Sequence, residues 1–481
     1  MLSATASFAL RSRCRQITIG VCVAELVLSA VTLAYTLSTG SSFVYTMGRV
    51  SAPWGNEIRA GALEALFALM FSGILLFSIT GGLRDINRDI PNNKEHFFFV
   101  MISLLLGALL AVTYTNDIFT AYVFIDIITI SACSIITIKP GGKPLIATML
   151  YLIMSLVGSS LVLLSISLLY AVTGHLLMEP LHGAVQALAA AGSYTLPLFV
   201  LFALMAVGLA MKSALFPFHV WLPGAHASAT TASSSILSGL IIKCYLIFLL
   251  KVICRVLGPA VVAQIHVGDM LLIFGILGMI IGSLYAIRQR DIKRMLSYST
   301  VAQIGYICIG IGLGTTAGRV AACFHILVHA VAKAMLFTSA GGLIGVSQHR
   351  RDYDSLRGAA RRDPLSGAVF LCGALSMVGI PLFSGFVSKF YLAFASVNTP
   401  FTEVVVLSVM VVSTLLNAMY YLPVILGLFS KPLDETSAPA RAYNPFLYRF
   451  SLSAFMVFHM GLGLVPTPIL EIIEQGLAAF G

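Results

Sequence analysis

Long apolar stretches separated by short polar connections run the length of the chain. They centre on thirteen segments: 17–38, 62–82, 96–115, 117–138, 145–172, 195–224, 231–256, 269–287, 297–314, 319–345, 366–396, 401–429 and 447–468. Each is long enough to cross about 30 Å of hydrocarbon as a helix. The runs are continuous rather than alternating, which excludes barrel strands, and only helices or closed barrels satisfy their backbone in lipid. The pattern predicts an all-α polytopic membrane protein with no soluble domain.

Two of the segments are interrupted. Pro217 and Pro223 fall inside the sixth, and Gly379, Pro381 and Gly385 inside the eleventh. A proline removes a backbone hydrogen bond, and a broken helix at membrane depth is tolerated only where it lines a cavity or is buried in protein. Paired interruptions in corresponding halves point to an inverted-repeat transporter with ion sites near the midplane. The intervals predict N-terminal helices over 1–95, a first five-helix repeat over 96–256, a second over 269–429, and a C-terminal helix and tail over 430–481.

Composition sharpens this picture. Of 481 residues 58% are hydrophobic and 10% charged, yet the net charge is +10. Threading the spans alternately explains the excess. One side collects about 20 of the 29 lysines and arginines, in clusters at Arg11–Arg15, Arg84–Lys94, Lys139–Lys143, Arg288–Arg294, Arg350–Arg362 and Lys431–Arg449. The other side receives Arg49, Arg59, Lys251, Arg255 and Arg319. That asymmetry is the positive-inside distribution. It needs no nucleic acid, and it predicts a cytoplasmic amino terminus and an external carboxyl terminus in the cell's inner membrane. The first apolar run is longer than the core of a cleaved signal peptide.

Four lysines remain, all inside spans: Lys212, Lys243, Lys333 and Lys389. A charge there costs at least about 2.5–3.5 kcal/mol on insertion scales. Snorkelling from a helix end is the plain explanation for one of them; four together predict a charge pathway. Asp126 lies mid-span, whereas Asp117 stands at that span's mouth. Glu25 and Glu64 have no partner identifiable from sequence, so structural and lumen-facing roles both stay open. His325, His329 and Lys333 recur at intervals of four and share a helix face, as a proton relay would. A metal site is the rival reading, but no third ligand accompanies the histidines, and the lysine repels a cation. His219 and His226, in the broken segment, read equally well as hydrogen-bonded residues of a bend.

The eight cysteines show no C-x-x-C or cluster spacing and read as small core hydrophobes. No nucleotide-binding loop is present. The chain is expected to hold no metal, cofactor or redox centre, so an ion gradient or another subunit must supply the energy.

The motifs "KSALFPFHVWLPGAHASA", "RQRDIKRMLSYSTVAQIGYI", "FHILVHAVAKAMLF", "GIPLFSGFVSKFYL" and "STLLNAMYYLPV" together resemble the membrane domain shared by the antiporter-like subunits of complex I, Mrp multisubunit cation/proton antiporters and membrane-bound energy-converting hydrogenases. The resemblance covers about residues 90–430, and "SAPWGNEIRAGALEALFAL" is closest to the Mrp and hydrogenase branch. It implies a proton-translocating module of fourteen helices, the first missing here, with two inverted five-helix repeats and a central hydrophilic axis. Asp126 would be the fifth-helix carboxylate and Lys212 the lysine of the broken seventh helix. Lys243 would be the eighth-helix link, His325, His329 and Lys333 the eleventh-helix relay, and Lys389 the exit lysine of the broken twelfth. The chain departs from the family in having Asp126 where a glutamate is usual, which predicts a longer or water-bridged pair with Lys212. It also lacks prolines in "ATTASSS" and has no aspartate near Gly61.

The implied function is a proton- or cation-translocating subunit of a multisubunit complex, within an oxidoreductase or an antiporter. Its partners would be other membrane subunits, protons or sodium ions, and the bilayer. The alternatives are the core of an Mrp-type sodium/proton antiporter and a non-conducting structural subunit.

Overall fold

The computed structural model describes residues 2–50, 55–397, 400–431 and 445–479. Arg441, assigned above to the basic side, lies outside them. The helices are α1 (Leu2–Ala9), α2 (Cys14–Thr39), α3 (Ala62–Asp89), α4 (Glu95–Tyr114), α5 (Ile118–Thr137), α6 (Gly142–Thr173), α7 (Met178–Ala190), α8 (Thr195–Ser213) and α9 (Trp221–Ser228). α10 (Thr231–Gln264) follows, then α11 (Val267–Ile287), α12 (Ile292–Gly312), α13 (Thr316–Gly345), α14 (Ala359–Arg362), α15 (Pro364–Val378), α16 (Ser384–Ser396), α17 (Pro400–Phe429), α18 (Phe446–Leu464) and α19 (Thr467–Ala478). Twelve helical stretches among the described residues are long and apolar enough to cross a membrane. The expected segment 366–396 is absent from that count because it is split into α15 and α16, each too short alone. The chain is an all-α polytopic membrane protein.

Helix starts follow local chemistry. Asp117 caps α5 by accepting from Thr120 N–H at 2.6 Å, Asp291 caps α12 through Lys293 and Arg294, and Asp363 caps α15 ahead of Pro364. Each side chain serves amides that have no partner within the helix. The breaks also have a backbone cause. Ala214 ends α8 at φ 58°, and Gly379 ends α15 at φ 95°, left-handed conformations that stop a helix.

α10 and α13 form the centre of the bundle and are buried over most of their length, with exposed residues only towards one end of each, whereas α2 presents most of its surface outward. α11 and α12 approach closely because glycines face each other. A Cβ on Gly305 would lie 2.4 Å from the carbonyl oxygen of Gly275, so only small residues allow this packing.

Arg15, Arg84, Arg88, Lys139, Lys143, Arg290, Lys293, Arg294, Arg350 and Arg351, all from the basic clusters, line cavities at one end of the bundle, the basic rim. The other end carries an antiparallel hairpin, β1 (Phe43–Thr46) and β2 (Glu57–Ala60), and is called the hairpin rim. The hairpin and α7 both fall in segments that the apolar pattern reads only as connections. Two charges assigned above to the less basic side, Lys251 and Arg255, are not on its surface but buried, at 1% and 5% exposure.

Candidate functional site

The break between α8 and α9 places Lys212 at the last turn of α8, fully buried. Its Nζ lies 3.3 Å from Asp126 Oδ1 and donates to Thr129 Oγ1 at 2.9 Å, both on α5. The face of Tyr245 lies 5.6 Å away. Ser159 on α6 donates to the same Asp126 oxygen. The expected longer or bridged pair is therefore a direct contact: α5 and α8 approach closely enough for the shorter aspartate side chain to reach. Asp126 keeps about a third of its side-chain surface exposed, so the carboxylate stands at the edge of the bundle and the ammonium inside it.

Lys243 and Lys333 form the centre. α10 contains a π turn over Leu237–Ile241, and Lys243, two residues beyond it, donates to the carbonyl of Ser238 within that turn. π turns of this kind recur at functional sites. The Ser238 hydroxyl pairs with Thr300 at 2.9 Å. On α13, Lys333 donates to Leu296 O at 2.9 Å and to the Tyr421 hydroxyl at 3.3 Å, and that hydroxyl also contacts Ser299. Lys243 lies within electrostatic reach of His325, His329 and Lys333.

The histidines of α13 stack as their spacing predicts, with ring centroids 5.9 Å apart. His325 Nδ1 lies 2.9 Å from Ser388 Oγ on α16, and Ser388 donates to Gly385 O. With its proton committed there, Ser388 accepts from Nδ1–H, leaving the lone pair of His325 on Nε2. Lys389, the next residue, donates to the carbonyls of Met377 and Val378 at 2.8 and 3.1 Å. These carbonyls are freed by the end of α15, and the face of Tyr306 lies 5.0 Å from the ammonium. His226 stacks on Phe337 at 4.5 Å, and His219 lies among Phe216, Tyr285 and Tyr298.

Several polar atoms on this line are buried with no protein partner at hydrogen-bond distance: both ring nitrogens of His226 and His329, Nε2 of His325 and the Gln303 amide. Buried polar groups are ordinarily satisfied, so these atoms stand out from a purely apolar core. The residues that sequence reasoning missed here are Ser159, Thr300, Gln303, Ser388 and Tyr421. Hydroxyls and an amide in apolar helices carry no distinguishing signal of their own; only their position beside the lysines does. Glu64, without a partner in the sequence reading, pairs with Arg255.

The family described as NADH:quinone oxidoreductase/Mrp antiporter, TM, matches residues 115–417. This chain belongs to that family. The matched region includes Asp126, Lys212, Lys243, His325, His329, Lys333 and Lys389. NADH-quinone oxidoreductase subunit N of Desulforudis audaxviator is 33% identical over 92% of this chain and 88% of its own length. A Na(+)/H(+) antiporter subunit of Alkalihalophilus pseudofirmus is 26% identical over 81% of this chain and 77% of its own. Among solved structures, a chain of the membrane-bound sulfane sulfur reductase, an archaeal respiratory membrane complex, superposes with a TM-score of 0.89 at 24% identity, covering 100% of this chain and 95% of that one. A chain of the Mrp complex from Dietzia sp. DQ12-45-1b superposes with a TM-score of 0.86 at 22% identity, covering 100% and 96%. The protein is accordingly an antiporter-like membrane subunit of the kind found in multisubunit complexes.

Proposed function

We propose that this subunit translocates protons along the line Asp126–Lys212, Lys243, His325/His329/Lys333 and Lys389, as the membrane arm of a respiratory complex related to complex I. The observation that carries the reading is the Asp126–Lys212 contact of 3.3 Å at a helix break, the head of a row of buried lysines and histidines. At that distance and an effective dielectric near 20, the pair gains about 5 kcal/mol. Moving the carboxylate therefore changes how firmly the ammonium holds its proton. The two interrupted helices support two inverted repeats, 96–256 and 269–429, around this line.

The basic rim faces the cytoplasm in this reading, in accord with the positive-inside distribution. A cavity of about 500 Å³ opens there, lined among others by Asp85, Lys139, Ala227, Thr231 and Lys293; it reaches the residue next to His226 and is the intake. Lys389, beyond the second break, is the outlet to the opposite side.

The similarity to a Na(+)/H(+) antiporter subunit supports a second reading, exchange of sodium for protons. The stations argue for protons as the species carried on this line: ammonium and imidazole groups hand on protons and repel a sodium ion. The test is transport by the assembled complex in vesicles with the Asp126→Asn variant, which keeps size and hydrogen bonding but removes the anion. Loss of proton translocation at normal assembly is expected; normal pumping would end the switching mechanism. Sodium flux that is driven by a proton gradient in the wild type and stops together with proton flux in the variant would favour the second reading.

A further inference from the structure

The proton line leaves one group of buried charges unused. It lies where α10 reaches the hairpin rim, on the helix that carries Lys243. Lys251, two turns beyond Lys243, donates to three carbonyls at the end of α4: Val112 at 3.4 Å, Thr113 at 2.8 Å and Thr115 at 2.6 Å. Arg255, four residues on and in a second π turn over Val252–Leu257, pairs with Glu64 and approaches Asn116 Oδ1 at 3.5 Å. Glu64 also accepts from Gly61 N–H at 3.2 Å. Above this group a cavity of about 280 Å³ opens at the hairpin rim, with Arg59, Asn116, Glu179, His182 and Arg255 among its lining residues.

The group therefore stands between an open cavity and Lys243. Its chemistry is that of a stop rather than a wire. Lys251 engages all three N–H donors with backbone carbonyls, whereas Lys389 engages two and Lys243 one, so Lys251 has no N–H left to aim along the helix. The guanidinium of Arg255 does not release one. The single carboxylate is held by Arg255 and a backbone amide. Two cations against one anion leave a net charge of +1 in a buried place while Lys251 keeps its proton, Arg59 and Glu179 at the cavity mouth balance each other, and a positive charge between the cavity and Lys243 is a barrier to protons and cations. Capping alone does not require this arrangement, because helix-end carbonyls at a rim are served by water.

We infer that Lys251 and Arg255, with Glu64, form an electrostatic plug that closes the hairpin-rim end of the first repeat and prevents protons from returning through the cavity to Lys243. This rests on the reading that the axis through Lys243 carries protons, and the experiment separates the two. The assembled complex, not turning over, is placed in proteoliposomes under a potassium diffusion potential. Passive proton flux is followed with a pH dye and chloride flux in parallel.

Lys251→Met, and independently Arg255→Gln, should raise passive proton flux at least about tenfold with chloride flux unchanged. Lys251→Arg should stay at the wild-type level. The double variant Glu64→Gln/Arg255→Gln keeps the net charge at +1 and should also stay closed, whereas a purely mechanical latch would open. Unchanged proton flux in both assembled single variants, or an equal rise in chloride flux, overturns the plug. Coupled transport by Lys389→Ala is measured beside it. Normal pumping there would refute the proton line, and its loss leaves that line standing whatever the leak shows.

Discussion

The two helix breaks use one device and finish it differently. At the first, Lys212 leaves α8 and meets a carboxylate from another helix, with hydroxyls of Thr129 and Ser159 around the pair. At the second, Lys389 turns back onto the carbonyls of Met377 and Val378, released by its own break. No carboxylate faces Lys389 among the described residues. A carboxylate carries a full charge on a side chain that swings, whereas a carbonyl is fixed in the backbone. The first break is suited to be switched from outside it, and the second to hold an ammonium in place until a neighbour changes. In the proposed mechanism, control belongs to the first site and delivery to the second.

The sharpest way to break this comparison is to remove the anion and the cation of the first site separately and together. Asp126→Asn and Lys212→Met should each cut proton translocation to roughly a tenth or less, and the double variant should be no worse than either, because groups acting as a unit are not additive. Additive losses in vesicle transport would show two independent roles. Next comes Lys389→Arg. Arginine can keep the carbonyl contacts but does not release its proton, so transport should fall about as far as in Lys389→Ala while assembly is retained; wild-type transport would make Lys389 a structural cap.

Smaller effects sharpen the centre. Tyr421→Phe removes the hydroxyl that Lys333 shares with Ser299, one hydrogen bond worth about 1 kcal/mol, and should slow transport roughly fivefold. Ser388→Ala, which frees His325 Nδ1 and its tautomer, should slow it by about twofold, with Ser388→Thr restoring the rate. The smallest change is expected for Asp126→Glu, within about twofold of wild type, since a side chain one methylene longer can still reach Lys212.

Much of this architecture was legible in the sequence. Apolar runs give spans because lipid leaves a helix little choice, and prolines or glycines inside such runs mark the breaks. The lysines were legible for the same reason: a charge inside an apolar run has to be explained. What stayed hidden are pairings across the chain. Glu64 and Arg255 are 191 residues apart, and nothing local to either names the other. Lys251 and Arg255 sat near the expected end of their span and read as rim charges, but α10 continues to Gln264, and the helices around it cover them. The hairpin escaped because a short polar segment carries no long apolar run, and α7 because its 13 residues are too few to span, although its buried Met178, Leu181, Val185 and Ala189 recur at helical spacing. The Asp126–Lys212 distance was misjudged because it depends on how closely α5 and α8 pack, which the residue types do not state.

The split between α15 and α16 has a consequence for how the protein is made. With 15 and 13 residues at 1.5 Å per residue, the halves measure about 22 and 20 Å, each short of the roughly 30 Å needed to span. Neither can therefore be released into lipid on its own during synthesis. The insertion machinery has to retain α15 until α16 emerges and the two can be passed on as a pair, with the buried core around α13 already waiting to receive Lys389. A nascent chain stalled between Val378 and Ser384 would remain extractable from the membrane at that point, and would become integrated only once the second half had followed.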